Sequence, residues 1–554
     1  MRARGTGALA IAFGVMVAAV ALAHLGRGAN VVVWDDALFF RRVAYNVLHH
    51  GIAAWNVADG PVFMNTSQLH QAIATLLLVV APRHFDVAAT VWAAACAFVM
   101  YATFARRLRR DLEGSALAFA GLLAPPILSA IATGMDTCTV FVALALFLHV
   151  SSRAPSRHQP LVLAIMNAVV YVARPDAAVI SMVIALGVLS APSDERRRRV
   201  VAFTALALAM LLVISAAFRL YYGSALPLAT FLKVSPVSVY DRAYLALDVP
   251  RKLTNLLQLG LLVAPLVPFV VARLDRTNVV LVAAGLAFVG FHAATTSEIM
   301  GYHARFYAPA WPVVVWAAAR CATSVDTPRQ RWSALIVAGS AGLLTLLAYQ
   351  RGWIENATSG SELERAPAAF YLVYFLGVVL VGVLPFVREQ ARSVSVATAV
   401  ALAVSVSSVT LQPRPFSLAS DTAIYESVSA RDANLVGLDT IRTCFTEPVQ
   451  LTHSELGIAG VLLPESRIID LTGLANPRVA SRRFDFERLC EDDRPDFVFR
   501  PHRSHRVLNE AIAASPCLAA RYTAARLPRA SASPLFVRND HVARFEACAE
   551  RSAP

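Results

Sequence analysis

Apolar residues recur along this chain as long runs separated by short polar loops. The runs cover residues 8–25, 87–104, 115–132, 137–150, 160–173, 177–189, 200–220, 253–272, 279–294, 306–319, 333–349, 369–387 and 394–411. Most hold roughly 15 to 22 residues, and about 20 residues of helix cross the hydrocarbon of a bilayer. The pattern predicts about 13 helical crossings. Two stretches depart from it. Residues 71–81 are apolar but too short to span, so they are predicted to re-enter or lie at the interface. Residues 221–250 interleave Tyr222, Tyr240, Tyr244, Lys233 and Arg242 with apolar positions, as an interfacial amphipathic segment does. The first run follows Met1-Arg2-Ala3-Arg4 in the manner of a signal peptide, and the many runs after it favour an uncleaved anchor.

Beyond residue 411 the pattern changes. Gln412-Pro413-Arg414-Pro415 reads as a linker. After it, short apolar runs at 449–451, 468–471 and 497–499 alternate with helix-like stretches such as 507–514. The prediction is an α-helical polytopic membrane domain over 1–411 and a soluble α/β domain over 412–554.

Charge orients the spans. With the N-terminus cytoplasmic, the cytoplasmic loops hold Arg106-Arg107 with Arg109-Arg110, and basic residues at 153–157, 196–199, 273–276, 320–331 and 388–392. The opposite loops hold Asp35-Asp36, Gly134-Met135-Asp136, Arg174-Pro175-Asp176, and residues 221–254, 295–305 and 351–366, with nearly all the acids. Candidate chemistry therefore faces outward, and the tail is predicted to lie outside the cytoplasm. Composition agrees: 57% of residues are hydrophobic and 16% charged, with a mean hydropathy of +0.56. The net charge of +13 sits in the short inter-span loops rather than on one face of a folded domain, so membrane topology explains it and nucleic acid is not a predicted partner. Cys444, Cys490, Cys517 and Cys548 all fall in the tail. In an exported domain they suggest two disulfides, with three pairings open.

Asp35 and Asp36 stand out because adjacent acids at a membrane surface are costly unless they bind a cation or move a proton. A carboxylate can take a proton from a sugar hydroxyl, and a second one beside it raises its basicity. The sequence from Asp36 to Arg42 also reads as a helix start, so one aspartate can cap while the other works. The pair could hold a divalent cation, although no third ligand is evident. The same loop continues with Arg42, Tyr45, Asn46, His49, His50, Trp55 and Asn56. Rings beside polar groups suit a sugar, and Trp and Tyr are equally at home at a membrane interface. Arg305 and His303 lie between two apolar runs, where a guanidinium suits a phosphate. Lys233 is a second candidate for that phosphate and Arg174 a third.

In this order the motifs resemble the GT-C class of bacterial membrane glycosyltransferases, and within it the mycobacterial terminal β-(1→2) arabinofuranosyltransferase family. The resemblance rests on Asp35-Asp36-Ala37 with Arg42 and Asn46 in step, then Trp55-Asn56. It continues with Asp136 and Asp176 where the family pattern has Glu, Tyr221-Tyr222-Gly223 leading to Pro227 and Lys233, and Gly301 to Arg305. In the tail it takes in 469–474 with Asn476-Pro477.

The resemblance implies a GT-C-like fold in the bacterial inner membrane with a periplasmic tail. It also implies a polyprenyl-phosphate-linked sugar donor, arabinofuranose within this family, and a glycan, lipid-glycan or protein acceptor. Asp35 or Asp36 would be the base, and transfer would invert the anomeric centre in one displacement. Arg42, Tyr45, Asn46, Trp55, Asn56, Lys233, His303 and Arg305 would bind substrate.

The chain departs from the pattern at Thr66-Ser67-Gln68-Leu69-His70, where relatives carry a proline and a tryptophan. The donor sugar is accordingly open to mannose, glucose or aminoarabinose. Asp136 and Asp176 read as helix caps in preference to site residues. A lipid or glycan transporter is the rival reading, against which stand the absence of internal repeats and the placing of the acids at span ends.

Overall fold

The computed structural model describes residues 13–14, 35–108, 112–124, 127, 130, 135–154, 156–192, 195–234, 248–297, 302–324, 328–350, 374–379, 436–480, 485–501, 505–525 and 535–551. The chain divides into two compact units. One comprises residues 1–27, 90–213 and 249–416, and the other residues 28–89, 214–248 and 417–554.

Four helices among the described residues are long and apolar enough to cross a bilayer: Phe85–Arg107, Arg196–Tyr222, Lys252–Val271 and Arg276–Thr295. Shorter apolar helices include Gln68–Val80, Thr137–Ser151, Gln159–Ala173 and Pro175–Leu189. Large apolar side chains such as Leu212, Val213, Leu253 and Leu286 are exposed. Such faces would be untenable in water and are ordinary against lipid, so the chain is a membrane protein. The runs at 8–25, 369–387 and 394–411 lie outside the described residues except for 13–14 and 374–379.

In the first unit, close helix packing depends on small residues. A Cβ on Gly187 would run into Val280, and one on Gly121 would meet Val315 at 2.8 Å. Two polar contacts cross this apolar body: the Ser181 hydroxyl donates to Asn167 at 2.6 Å, and the Trp311 indole N–H donates to the Gly121 carbonyl at 2.8 Å. The run at 306–319 is not one helix. A 3₁₀ segment Tyr302–Ala310 precedes the α-helix Trp311–Arg320. Pro309 and Pro312, which lack a backbone donor, account for the break.

The second unit is built around a five-stranded sheet: β1 (Gln450–His453), β2 (Arg467–Asp470), β3 (Phe497–Phe499), β4 (Tyr522–Ala525) and β5 (Leu535–Arg538). The order is β2-β1-β3-β5-β4. β1 pairs in parallel with β2 and β3, whereas β5 pairs antiparallel with β3 and β4.

Side chains alternate between two cores, as the period of a strand requires. Leu451, Ile468, Phe497, Phe499, Leu535 and Val537 face one core, and Ile469 and Val498 face the other. The first core does not belong to the tail alone. Leu38, Phe39, Val43, Trp55, Val62, Met64 and Leu228 are buried in it. Disulfides join Cys444 to Cys548 and Cys490 to Cys517. The former ties the Val436–Cys444 helix to the Val542–Arg551 helix across 104 residues of sequence.

Candidate active site

Asp35 and Asp36 are the first two residues of the helix Asp35–His50, where negative charge complements the helix dipole. Lys233 lies in the helix Leu228–Val234 of the same unit, and His303 and Arg305 lie in the 3₁₀ segment Tyr302–Ala310 of the other. The side chains of these five residues lie outside the described part of the structure.

Four of the sequence-predicted residues converge in the interior of the second unit. Arg42 is buried, and all five of its guanidinium N–H groups are used. Nε donates to the Trp55 carbonyl at 2.9 Å, and one terminal nitrogen donates to the carbonyls of Gly460 and Leu463 at 3.0 and 2.9 Å. The other donates to the Ser466 carbonyl at 2.6 Å and to Asn56 Oδ1 at 3.5 Å. Gly460 and Leu463 stand at the C-terminal end of the helix Leu456–Leu462, whose last carbonyls need donors, so Arg42 serves as its cap. The guanidinium also lies 4.9 Å from the Trp55 ring centroid. Burial pushes the Arg42 pKa down to about 10, which leaves it charged at neutral pH.

Asn56 matches the main chain of Ile468 as another strand would: its amide donates to the Ile468 carbonyl at 3.0 Å, and its Oδ1 accepts from the Ile468 N–H at 2.9 Å. The Trp55 indole donates to that same carbonyl at 3.1 Å. Asn46 donates to the carbonyls of Ala54 and Trp55 at 2.9 and 3.0 Å. Arg42, Trp55 and Asn56 join residues 42–56 to residues 460–468, and Asn46 holds the chain at Ala54 and Trp55 in place beside them. Their polar groups are turned to the backbone, which differs from the expectation that they line a sugar site. The physical reason is that a buried main-chain carbonyl is costly to leave unpaired, and an Arg and two amides satisfy several at once.

Tyr45 stays partly exposed. Its hydroxyl donates to Glu465 at 2.5 Å, and its ring lies tilted against His49 with centroids 4.2 Å apart. Burial and the Glu465 hydrogen bond push its pKa up to about 12.

The first unit pairs Arg174, the third candidate for the phosphate, with Asp176, which reads in the sequence as a helix cap. Arg174 Nε donates to Asp176 at 3.0 Å, and His292 Nε2 lies 2.7 Å from Asp176 Oδ2. The other ring nitrogen of His292 lies 3.2 Å from the Thr296 hydroxyl. Asp136, also buried, is within electrostatic reach of Arg174. Sequence reasoning missed His292, which lies 116 residues from its partner. Its one signal was a histidine on the apolar run 279–294. The His292 ring lies parallel to Phe306 with centroids 6.4 Å apart, so the cluster borders the segment that carries His303 and Arg305. No group of three or more His, Cys, Asp or Glu side chains suited to a metal ion occurs among the described residues.

Two solved structures have a similar fold. One is ArnT from Cupriavidus metallidurans in the apo state, with a TM-score of 0.59 and 14% sequence identity over 94% of this chain and 97% of that one. The other is the same protein bound to undecaprenyl phosphate, with a TM-score of 0.56 and 13% identity over the same shares. No family model and no curated protein sequence matches the chain. At this identity the likeness establishes the fold.

Proposed function

We propose that this chain is a GT-C glycosyltransferase that moves a sugar from a polyprenyl phosphate to an acceptor hydroxyl on the outer side of the inner membrane. One observation carries the reading: nearly the whole chain shares the fold of a protein solved with undecaprenyl phosphate bound. The order of sequence motifs supports the same class, and the tail disulfides suit an oxidising compartment.

In this reading Asp35 or Asp36 takes the proton of the acceptor hydroxyl. The acceptor oxygen attacks the anomeric carbon, the bond from that carbon to the phosphate oxygen breaks, and polyprenyl phosphate leaves with the electron pair. The displacement inverts the anomeric centre. Lys233, His303 and Arg305 are the candidates to hold the phosphate, through charge and hydrogen bonds. Tyr45 stays a candidate for substrate contact. Arg42, Asn46, Trp55 and Asn56 are assigned a scaffolding role in place of the predicted sugar contacts. Adjacent carboxylates at 35 and 36 also suit a divalent cation, and activity with and without a chelator tests that role.

Arabinofuranose is the proposed donor sugar on the strength of the motif order. A panel of radiolabelled polyprenyl-phosphate sugars (arabinose, mannose, glucose and galactose) offered to purified protein in nanodiscs with membrane acceptor tests the proposal. Label should pass to the acceptor from arabinose in preference to the other three. Transfer from another member of the panel would keep the reaction and replace the sugar. Transfer from none would reject it.

A further inference from the structure

The turn after β2 holds the motif at residues 469–474 that the proposed reaction leaves without a task. Asp470 is buried at the end of β2, and its carboxylate accepts from the Thr472 N–H at 2.6 Å, the Thr472 hydroxyl at 2.7 Å and the Ala475 N–H at 2.6 Å. Asn476 adds a bond from its amide to the Asp470 carbonyl at 3.2 Å. These bonds curl the chain so tightly that Gly473 takes φ +90°. A Cβ at Gly473 would lie 3.0 Å from the Ala480 nitrogen, 3.1 Å from Val479 and 3.2 Å from Leu232. The left-handed backbone and the close approach both call for glycine.

Leu232 is thus seated on the turn, buried among Ile469, Leu471 and Val479. Leu228, four residues earlier, is buried in the other core, and its N–H donates to the Phe63 carbonyl at 2.8 Å. The helix Leu228–Val234 has seven residues, too few to hold its shape unaided. Two anchors one helical turn apart fix its position and rotation, and Lys233 is the residue after the second anchor.

We propose that this turn is the platform that positions Lys233 for the phosphate of a lipid-linked donor, with Asp470, Gly473 and Leu232 as positioning residues. The inference rests on the functional reading above and extends it, because it makes the sheet-bearing tail a working part of donor recognition.

The experiment uses the full-length protein in nanodiscs, with undecaprenyl phosphate as the binding probe and donor KM and kcat as the kinetic readout. Gly473→Ala and Leu232→Ala should each raise the Kd for undecaprenyl phosphate and the donor KM about tenfold while kcat changes less than about threefold. In a Lys233→Ala background the same changes should add less than about twofold, because the platform acts through that lysine. Full additivity would overturn the inference, as would an unchanged Kd in a folded Leu232→Ala protein. If Gly473→Ala lowers the melting temperature, Leu232→Ala decides, since truncation removes the contact without straining the backbone. An unchanged Kd in Lys233→Ala alone would overturn the platform while wild-type turnover upheld the transferase. Absence of turnover with undecaprenyl phosphate still bound would do the reverse.

Discussion

Arg42 and Arg174 are both enclosed by protein, yet their surroundings differ in kind. Arg42 spends every donor on carbonyls and one amide oxygen, and Glu465 acts on it through charge alone among the described residues. Arg174 faces Asp176, which is shared with His292. A cation dissolved in main-chain carbonyls is committed to holding the backbone in place. A cluster of ionisable side chains can redistribute charge and protons when a ligand arrives. The contrast separates scaffold from candidate machinery more cleanly than residue type does, since arginine, aromatic and amide residues near an acid pair suit either role.

The largest expected effect is on the scaffold. Arg42→Ala takes one donor from each of the carbonyls of Trp55, Gly460, Leu463 and Ser466 and should cost about 4 kcal/mol. Arg42→Lys should restore little of it, because three ammonium donors cannot replace five in a planar fork. Thermal melting and the retention of the tail disulfides report the loss. A fully stable Arg42→Ala protein with impaired donor binding would return Arg42 to the site.

A second contrast lies between two buried histidines. His292 has Asp176 as a partner, whereas His453 accepts from the Glu455 N–H at Nδ1 and has no partner at Nε2 among the described residues. Burial pushes the His453 pKa from 6.5 down to about 4. Between those values the unfolded chain binds a proton that the native state refuses. The stability is therefore complete above pH 6.5 and falls as pH drops towards 4, by about 3 kcal/mol if the whole window is crossed. Chemical denaturation at pH 7 and pH 4.5 should show the loss, and His453→Phe should flatten most of it. An equal slope in both proteins would remove His453 as the cause.

Smaller again is the effect of Gly460→Ala. The added Cβ would lie 2.6 Å from both Arg42 Cδ and Trp55 Cη2, so the clamp must shift, at about 2 kcal/mol. An unchanged melting temperature would mean that the loop and residues 460–468 are not held as tightly as the geometry indicates. The smallest stability change is expected for His292→Gln, which keeps a donor for Asp176 at about 1 kcal/mol. Its transfer rate should nonetheless fall about tenfold and its pH profile should change, if the cluster takes part in the reaction. Equal losses of rate and stability would make the cluster a second scaffold.

Much of this was legible in the sequence. The apolar runs at 137–150, 160–173 and 279–294 correspond to the helices Thr137–Ser151, Gln159–Ala173 and Arg276–Thr295. The short runs at 449–451, 468–471 and 497–499 are β1, β2 and β3 to within two residues. Period and length carry those signals. The strands β4 and β5 were not foreseen, because Tyr522–Ala525 is an edge strand whose Thr-Ala-Ala content resembles the helix before it.

The partners of Arg42 were hidden for a different reason. Three of them are main-chain carbonyls more than 400 residues away, and a carbonyl leaves no mark in a sequence. Trp55 and Asn56 have the chemistry of sugar ligands, and in the fold their polar groups bond the main chain of Ile468. Asp176 was read as a cap, and it does accept from the Ala177 N–H at 2.9 Å. Its pairing with His292 needed the fold.

The most direct test of the central claim is the rate at which labelled sugar passes from polyprenyl phosphate to acceptor in the wild type and in Asp35→Asn and Asp36→Asn. Loss of at least about 100-fold in one of the variants is predicted, with the melting temperature unchanged. Full transfer by both variants would contradict it.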